Sequence, residues 1–370
     1  MKTISARVPD NVFLKLEKRK RDDKYSDKPW AEWLAFLTKG VSLIEDFEDA
    51  IGKGTRDALG KLWMENFVLN LDHIIDRKTY PKNKDVNSLG LLPKHRDSPA
   101  LTVAAGPSLR EHRHIELLAE RGFTGTIFSC DRMLVPLLKA GIVPHYVTCV
   151  DGNRELIVKW FEDPVVDEYA SRITGLFTTT AAPTAVDRFL EAGGTIRWFH
   201  GMLDSFFDLD SVTSFMNYMT GSTAVSCGGN VGSTSWTLAA YLQCNPIILI
   251  GLDLGYSQKV PFEDTAYYAR FLDSGVPPEK MQVVFTEGFN PDFHTRFYQD
   301  PVFKHYRAAL LEMVSVGKKT WGVETWNCTE GGSVFGTDIQ GMRFKEALKR
   351  YGKKKEDDKR KMKKLEEQHQ

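Results

Sequence analysis

The chain has 370 residues, of which 42% are hydrophobic and 26% charged, enough for one large domain with extensions or for two domains. Basic and acidic residues balance at 49 each, so no overall charge favours nucleic acid or an acidic membrane as a partner. Five cysteines without CxxC spacing predict reduced thiols in a cytoplasmic protein. We expect no membrane contact, because the sequence shows neither a signal peptide nor an apolar run of spanning length.

Residues 1–45 predict one short strand followed by two helices. Polar and apolar residues alternate over 3–8, and helical apolar stripes follow over 9–21 and from residue 29. This order resembles a ribbon-helix-helix module, in which strands from two chains pair and enter the DNA major groove. The outward strand residues would be Thr3, Ser5 and Arg7. The alternatives to DNA binding are a dimerisation arm, which would make a homodimer, and a helical cap on the main domain.

Residues 46–97 predict a helical region that ends in a linker. Apolar residues recur near the helical period up to about residue 78 and indicate packing rather than a site. The stretch 80–99 is rich in proline, lysine and small polar residues and lacks periodicity, which favours a linker. We expect the main domain at 98–350 and a charged tail at 351–370, either a solvated helix or a disordered segment.

The main domain alternates predicted strands with predicted helices. The strands are expected at 101–105, 126–129, 146–150, 175–179, 195–199 and 246–250. The helices are expected at 109–121, 133–140, 154–161, 183–192, 232–242, 302–317 and within 336–351. This repetition predicts an α/β fold with a doubly wound, mostly parallel Rossmann-like sheet and an N-terminal helical extension. Ligands of such a sheet bind beyond the carboxyl ends of its strands.

Two glycine turns precede predicted helices. In the first, Gly106-Pro107-Ser108, glycine allows close approach of a ligand, proline suits a helix start, and Ser108 lies beside unpaired amides. Free amides at a helix start favour anions, so the turn predicts a phosphate site, and a serine-capped turn is the structural alternative. The second turn, Gly228-Gly229-Asn230, has the same properties, although it is neither a P-loop nor a GxGxxG motif.

Three predicted strands end in aspartates. These are Asp131, Asp151 and Asp253, and Asn153 follows the second of them. Because parallel strands end at one edge, we expect the three carboxylates to converge with the Gly106 turn on one crevice. They would either hold a Mg²⁺ ion that bridges nucleotide phosphates, or bind ribose hydroxyls and orient a base. The alternative for each is to cap the helix that follows it.

These motifs occur in an order that resembles the MptE-like family, named for the archaeal 6-hydroxymethyl-dihydropterin diphosphokinase. They are Ala105-Gly106-Pro107-Ser108-Leu109, Cys130-Asp131, the run 141–151 that ends in Asp151, Gly228-Gly229-Asn230-Val231, and Gly251-Leu252-Asp253-Leu254. The family also holds the Maf proteins, glycosyltransferases that place nonulosonic acid sugars on flagellin. The resemblance covers about residues 98–348, and several ordered motifs are more specific than any one. It implies a Rossmann-like domain that binds a nucleotide with the Gly106 turn.

The two branches of the family imply different reactions. The diphosphokinase branch implies Mg²⁺ and ATP, diphosphoryl transfer to 6-hydroxymethyl-7,8-dihydropterin, and Asp151 and Asp253 as metal ligands. Its pattern at the third strand has two close acids, whereas this sequence has only Asp151 there. A later run, Asn-Cys-Thr-Glu-Gly-Gly around Glu330, resembles the Maf branch and implies a glutamate near the donor site. We therefore favour glycosyl transfer from a CMP-activated sugar to a small-molecule or protein hydroxyl.

Glycosyl transfer also needs a base that deprotonates the acceptor hydroxyl. The candidates are Glu330, His294 and His305, so the predicted catalytic residues are Asp151, Asp253, Glu330 and His294. His294 lies in the irregular aromatic stretch 256–298, which indicates a lid, an acceptor-binding insertion or a packed excursion over the sheet. A third interpretation is a non-catalytic binding protein with an N-terminal DNA-binding or oligomerisation module.

Overall fold

The computed structural model describes residues 59–80, 82, 85–207, 211–273 and 275–353. The predicted ribbon-helix-helix segment and the charged tail beyond residue 353 lie outside these residues. The described chain opens in a helix, α1, at residues 59–74.

The described residues form twelve strands and, after α1, twelve further α-helices. The strands are β1 Ala100–Val103, β2 Thr126–Cys130, β3 Tyr146–Cys149, β4 Thr174–Thr178, β5 Thr195–Gly201, β6 Ala224–Val225, β7 Ile247–Ile250, β8 Tyr256–Ser257, β9 Thr286–Asn290, β10 Thr295–Gln299, β11 Thr325–Asn327 and β12 Ile339–Gly341. The helices are α2 Ser108–Glu111, α3 His114–Arg121, α4 Leu134–Lys139, α5 Arg154–Ile157, α6 Val165–Tyr169, α7 Pro183–Glu191, α8 Val212–Thr220, α9 Val231–Tyr241, α10 Tyr268–Asp273, α11 Met281–Val284, α12 Pro301–Trp321 and α13 Phe344–Tyr351.

Nine strands form one parallel sheet in the order β12-β11-β7-β1-β2-β3-β4-β5-β6. The chain moves outward from β1 to β6, returns through α9, and continues on the other side of β1 with β7. Strand order therefore reverses between β1 and β7, and we call this place in the sheet the switch point. The carboxyl ends of these two strands flank the crevice in which open α/β sheets bind ligands.

Helices cover both faces of this sheet, because its central strands are apolar on both sides. In β7, Ile247 and Leu249 pack against the core formed with α9 and α12, whereas Ile248 and Ile250 pack against α2, α3 and α13. A third core fills the space between α1 and strands β3 to β5. This arrangement confirms the predicted doubly wound, parallel α/β fold.

Three details differ from the sequence-based expectation. The predicted helix 109–121 is broken into α2 and α3, since Arg113 adopts a left-handed backbone with φ +54°. The predicted linker is part of the fold, because Leu89 is fully buried and Ser88 forms a bridge with Trp198 of β5. The stretch 256–298, expected to be irregular, contains most of an antiparallel sheet in the order β8-β10-β9 over its own aromatic cluster.

Candidate functional site

The segments that follow β1 and β7 run side by side into the switch point. The Ala104 amide donates to the Ile250 carbonyl at 3.0 Å, and the Gly106 amide donates to the Gly251 carbonyl at 2.7 Å. A Cβ atom on Gly106 would lie 1.8 Å from Asp253 Oδ2 and 2.5 Å from the Gly251 oxygen. Glycine is therefore required here by close packing within the protein.

The Asp253 carboxylate fills the turn that the sequence assigns to a phosphate. Ser108 Oγ donates to Asp253 Oδ2 at 2.8 Å, and the Ser108 amide also contributes a hydrogen bond. Burial, together with the nearby charge of Glu111, raises the pKa of Asp253 to about 7 against the opposing effect of Ser108. The Gly106 amide and the Ser108 hydroxyl are thus already used by the fold, which does not support the phosphate role predicted for Gly106-Pro107-Ser108.

The second glycine turn leads into α9, whose start meets the same switch point. A Cβ on Gly232 would lie 2.7 Å from Leu252 and 3.0 Å from Ala104, the residues that follow β7 and β1. Asn230 caps the helix, because its Oδ1 accepts from the Ser233 amide at 2.9 Å. Neither of the two preceding amides, those of Val231 and Gly232, donates to a described residue. The positive end of an eleven-residue helix therefore faces this region with unpaired amides.

The two glycines before this helix support the packing of α12. Gly228 and Gly229 have φ of +57° and +79°, a left-handed backbone that favours glycine. A Cβ on Gly229 would lie 2.3 Å from the Tyr306 ring, and one on Gly228 would lie 2.6 Å from Met313. In this turn, which was predicted to bind a nucleotide, both glycines are thus needed for packing against α12, and Asn230 caps α9.

The loop that follows β11 wraps around Asp253. The Ser333 amide donates to the Asp253 carbonyl at 2.8 Å, and a Cβ on Gly332 would lie 2.3 Å from the same oxygen. Glu330, two residues earlier, is half-buried and adopts a left-handed backbone with φ +62°. Glu330 therefore lies on the same loop that contacts the Asp253 backbone.

Asp131 and Asp151 form a separate group at the ends of β2 and β3. Burial raises the pKa of Asp131 to about 7; the Asp151 charge also raises it, whereas the Arg132 amide and the Cys149 thiol lower it. Asp151 is exposed, and its Oδ1 accepts from the Asn153 amide at 2.8 Å. Asn153 in turn caps α5 through the Leu156 amide at 2.9 Å. The cap of this helix is therefore Asn153 and not Asp151, for which capping was the alternative role.

Helix α1 contributes two buried asparagines to this edge that sequence analysis missed. Asn66 Nδ2 donates to the Gly152 carbonyl at 2.9 Å, and Asn70 Nδ2 donates to the Ala181 carbonyl at 2.9 Å. Both side chains are completely buried. An i,i+4 pair of asparagines in an otherwise apolar stripe was the available signal, because buried amides need hydrogen-bond partners.

The candidate histidines lie outside these groups. His294 is exposed in the turn between β9 and β10, with φ +52° and its ring centroid 6.2 Å from that of Phe289. The hairpin itself reaches the Glu330 loop, because Asn290 Nδ2 donates to the Gly332 carbonyl at 3.0 Å. His305 lies on α12, with its ring 6.2 Å from that of Tyr306. The Asn290 side chain thus connects the hairpin with the Glu330 loop, whereas the ring contact of His294 is with Phe289 of its own hairpin.

The predicted pair of metal ligands, Asp151 and Asp253, follows two strands that are not neighbours in the sheet. Asp151 follows β3 and Asp253 follows β7, and β1 and β2 lie between these strands. Three spacings of about 4.8 Å place these two strands roughly 14 Å apart, which gives no support to a shared Mg²⁺ ion. Among the described residues, no cluster of three or more histidine, cysteine or acidic side chains is arranged to hold a metal.

Fold and site together define a doubly wound, Rossmann-like α/β protein with polar groups at the switch point. A family model described as "6-hydroxymethylpterin diphosphokinase MptE-like" matches residues 65–259. The match covers more than half of the chain, which therefore belongs to the MptE-like family. The motif order predicted this membership, and the family is named for a diphosphokinase, which is a transferase.

One solved structure, described as the MAf glycosyltransferase from Magnetospirillum magneticum AMB-1, is similar with a TM-score of 0.47 and 16% identity. The similarity covers 70% of this chain and 36% of that one, so the chain spans about a third of its length. No curated protein matches the chain. In the part of the chain that the structure describes, no helix has the length and apolar character needed to cross a membrane.

Proposed function

We propose that the protein is a nucleotide-dependent transferase that binds the donor phosphate at the start of α9. The observation that carries this proposal is the meeting of α9 with the β1–β7 switch point. There Gly232 packs against Leu252 and Ala104, and its amide and that of Val231 are unpaired. Aligned helix amides stabilise phosphate charge, and the switch point is where open α/β sheets bind nucleotides.

The favoured reaction is glycosyl transfer from a CMP-activated sugar. The acceptor oxygen forms a bond to the anomeric carbon as the bond from that carbon to the CMP phosphate breaks. CMP leaves with the electron pair, and amides at the start of α9 would stabilise its charge. The acceptor proton passes to a carboxylate, for which Glu330 is the candidate, and then to water. This assignment is supported by the Maf-like motif around Glu330 and by the contact between its loop and Asp253.

Diphosphoryl transfer from Mg-ATP is the competing reaction in this family. Its metal would need carboxylates beside the β- and γ-phosphates. The separation of Asp151 and Asp253 by two strands gives no support to the predicted pair of ligands. We therefore rank it second.

A thermal-shift panel with CMP, CDP, AMP and ATP, each with and without Mg²⁺, tests the proposal. Ligand at about 100 times Kd should stabilise the fold by roughly 2.7 kcal/mol, a shift of several degrees. We expect CMP to protect equally with and without Mg²⁺. Protection by ATP alone, only with Mg²⁺, would favour diphosphoryl transfer, and failure of every nucleotide would contradict a transferase site at the switch point.

A further inference from the structure

Glu330 is held by one of its two carboxylate oxygens. The Phe344 amide at the start of α13 donates to Oε1 at 3.0 Å, and His114 Nε2 of α3 lies 3.4 Å from the same oxygen. No described residue donates to Oε2. The side chain retains 18% of its surface exposed, so the uncommitted oxygen belongs to a half-buried group. Two elements therefore fix the carboxylate and leave one acceptor atom for a ligand.

His114 is the unusual member of this arrangement. Its side chain is 0% exposed, and its Nδ1 has no hydrogen-bond partner among the described residues. The ring is clamped between His112, with centroids 5.5 Å apart, and Phe344, at 5.2 Å. A hydrogen on Nδ1 would be a buried donor without an acceptor, which is unfavourable. The geometry therefore favours the tautomer that carries its hydrogen on Nε2 and donates to Glu330.

The backbone and the surrounding groups constrain Glu330 further. Its φ of +62° is costly for a residue with a Cβ and persists only where neighbours enforce it. Burial raises the pKa of Glu330, but the hydrogen bonds from His114 and Phe344, with a smaller effect of His112, bring the pKa below its ordinary value. The Cys328 thiol also faces this carboxylate, and burial raises the pKa of that thiol. Glu330 is thus kept as an ionised acceptor.

We propose that His114 is a positioning residue that fixes Glu330 through Oε1, so that Oε2 accepts a hydrogen bond from a substrate hydroxyl. The role of Oε2 rests on the proposed transferase function, whereas the His114–Glu330 link does not. The hydroxyl belongs to the acceptor, and water takes its place when the donor is hydrolysed.

The test compares His114→Leu, which cannot donate, with His114→Gln, whose amide can replace Nε2–H. The control is His112→Leu, which removes the stacked ring and keeps the bond to Glu330. In ¹³C-glutamate NMR titrations, the Glu330 midpoint should rise by about one unit in H114L, because a hydrogen bond to a charge is lost. It should return most of the way in H114Q and change little in H112L. An unchanged midpoint in folded H114L would overturn the proposal.

The wild-type protein provides a measurement that needs no variant. Imidazole ¹⁵N shifts should show hydrogen on Nε2 of His114, and a bare Nε2 would overturn the proposed donor. With CMP-N-acetylneuraminate and water as acceptor, H114L should lower kcat on the order of tenfold with little change in KM, and H114Q should restore it. Equal kcat in wild type and H114L would overturn the role of Oε2. No turnover by wild type would contradict the CMP-sugar proposal, while the titration still decides the role of His114.

Discussion

The two acidic groups at the carboxyl edge of the sheet differ in what holds them. At the switch point, Asp253 lies against Gly106 and accepts from Ser108, and its carbonyl accepts from Ser333. At the ends of β2 and β3, a buried Asp131 lies near an exposed Asp151. The first group is locked into the packing of β1 and β7, whereas the second is open on one side.

This difference shows what strand-end aspartates can and cannot indicate. Parallel strands bring their ends to one edge, so all of the predicted aspartates lie there. Whether a carboxylate is free for a ligand depends on the backbone that packs against it. The Asp253 carboxylate occupies the Gly106 turn, where a phosphate was predicted to bind. The amides without an acceptor lie instead at the start of α9.

The largest expected effect is that of Gly106→Ala. The new Cβ would overlap the Asp253 carboxylate and the Gly251 carbonyl, so backbone must move. We expect a loss of about 3 kcal/mol in the free energy of unfolding, the upper end of overpacking costs, measured by urea denaturation. Gly60→Ala is the control, because nothing lies within 4 Å of its Cβ and alanine favours the helix. Equal stability of G106A and wild type would contradict the close packing of Gly106 against Asp253.

Ser108→Ala should lower the free energy of unfolding by about 2 kcal/mol at pH 8. It removes the 2.8 Å hydrogen bond to a buried carboxylate, the largest of the interactions that stabilise its ionised form. At pH 5, where Asp253 with a pKa of about 7 is protonated, the loss should be smaller. Urea midpoints at the two pH values measure this difference, and a pH-independent loss would show that the bond does not serve the ionised form.

At pH 8, Asp131→Asn should raise the free energy of unfolding relative to wild type, by on the order of 1–2 kcal/mol. The pKa of Asp131 is raised to about 7, so the folded state holds its proton more tightly than the unfolded chain. Its contribution to stability therefore falls as pH rises from about 4 to 7. The variant loses this pH dependence. Its free energy of unfolding should therefore increase relative to that of wild type between pH 5 and pH 8. Asp151→Asn is the companion variant, and it should lower the Asp131 midpoint by removing a neighbouring negative charge.

The smallest stability change, about 1 kcal/mol, is expected for Asn230→Ala, which removes the cap of α9. Asn153→Ala removes the equivalent cap of α5 at the β3 edge. If phosphate binds at the start of α9, only N230A should weaken the protection by CMP in thermal shift. If only N153A weakened the protection, the phosphate would bind near the Asp131–Asp151 group instead.

The sheet was largely predictable from the sequence, because long buried strands leave a clear apolar signal. Strands such as β1 and β7 alternate between two cores and appear as continuous apolar runs. The short strands β6, β11 and β12 were missed, since two or three residues cannot show a period. The antiparallel strands of the 256–299 region were also missed, because proline-rich connections hid their alternation.

The sequence predicted where in the sheet the candidate site lies, but not which side chains contact each other there. Motif order indicated Asp253 and Glu330, but no local pattern pairs Glu330 with His114, which lies 216 residues away in the sequence. Nor could the sequence show that Asp253 would fill the Gly106 turn, since that depends on the register of β1 against β7. Local chemistry marks the strand ends, and tertiary packing decides which groups stay free.

A crystal structure of the protein with CMP bound tests the central claim most directly. We expect the phosphate within hydrogen-bond distance of the Val231 or Gly232 amide, with the Ser108–Asp253 bond retained beside it. A phosphate bound against Asp131 and Asp151, or away from the carboxyl edge of the sheet, would contradict the claim.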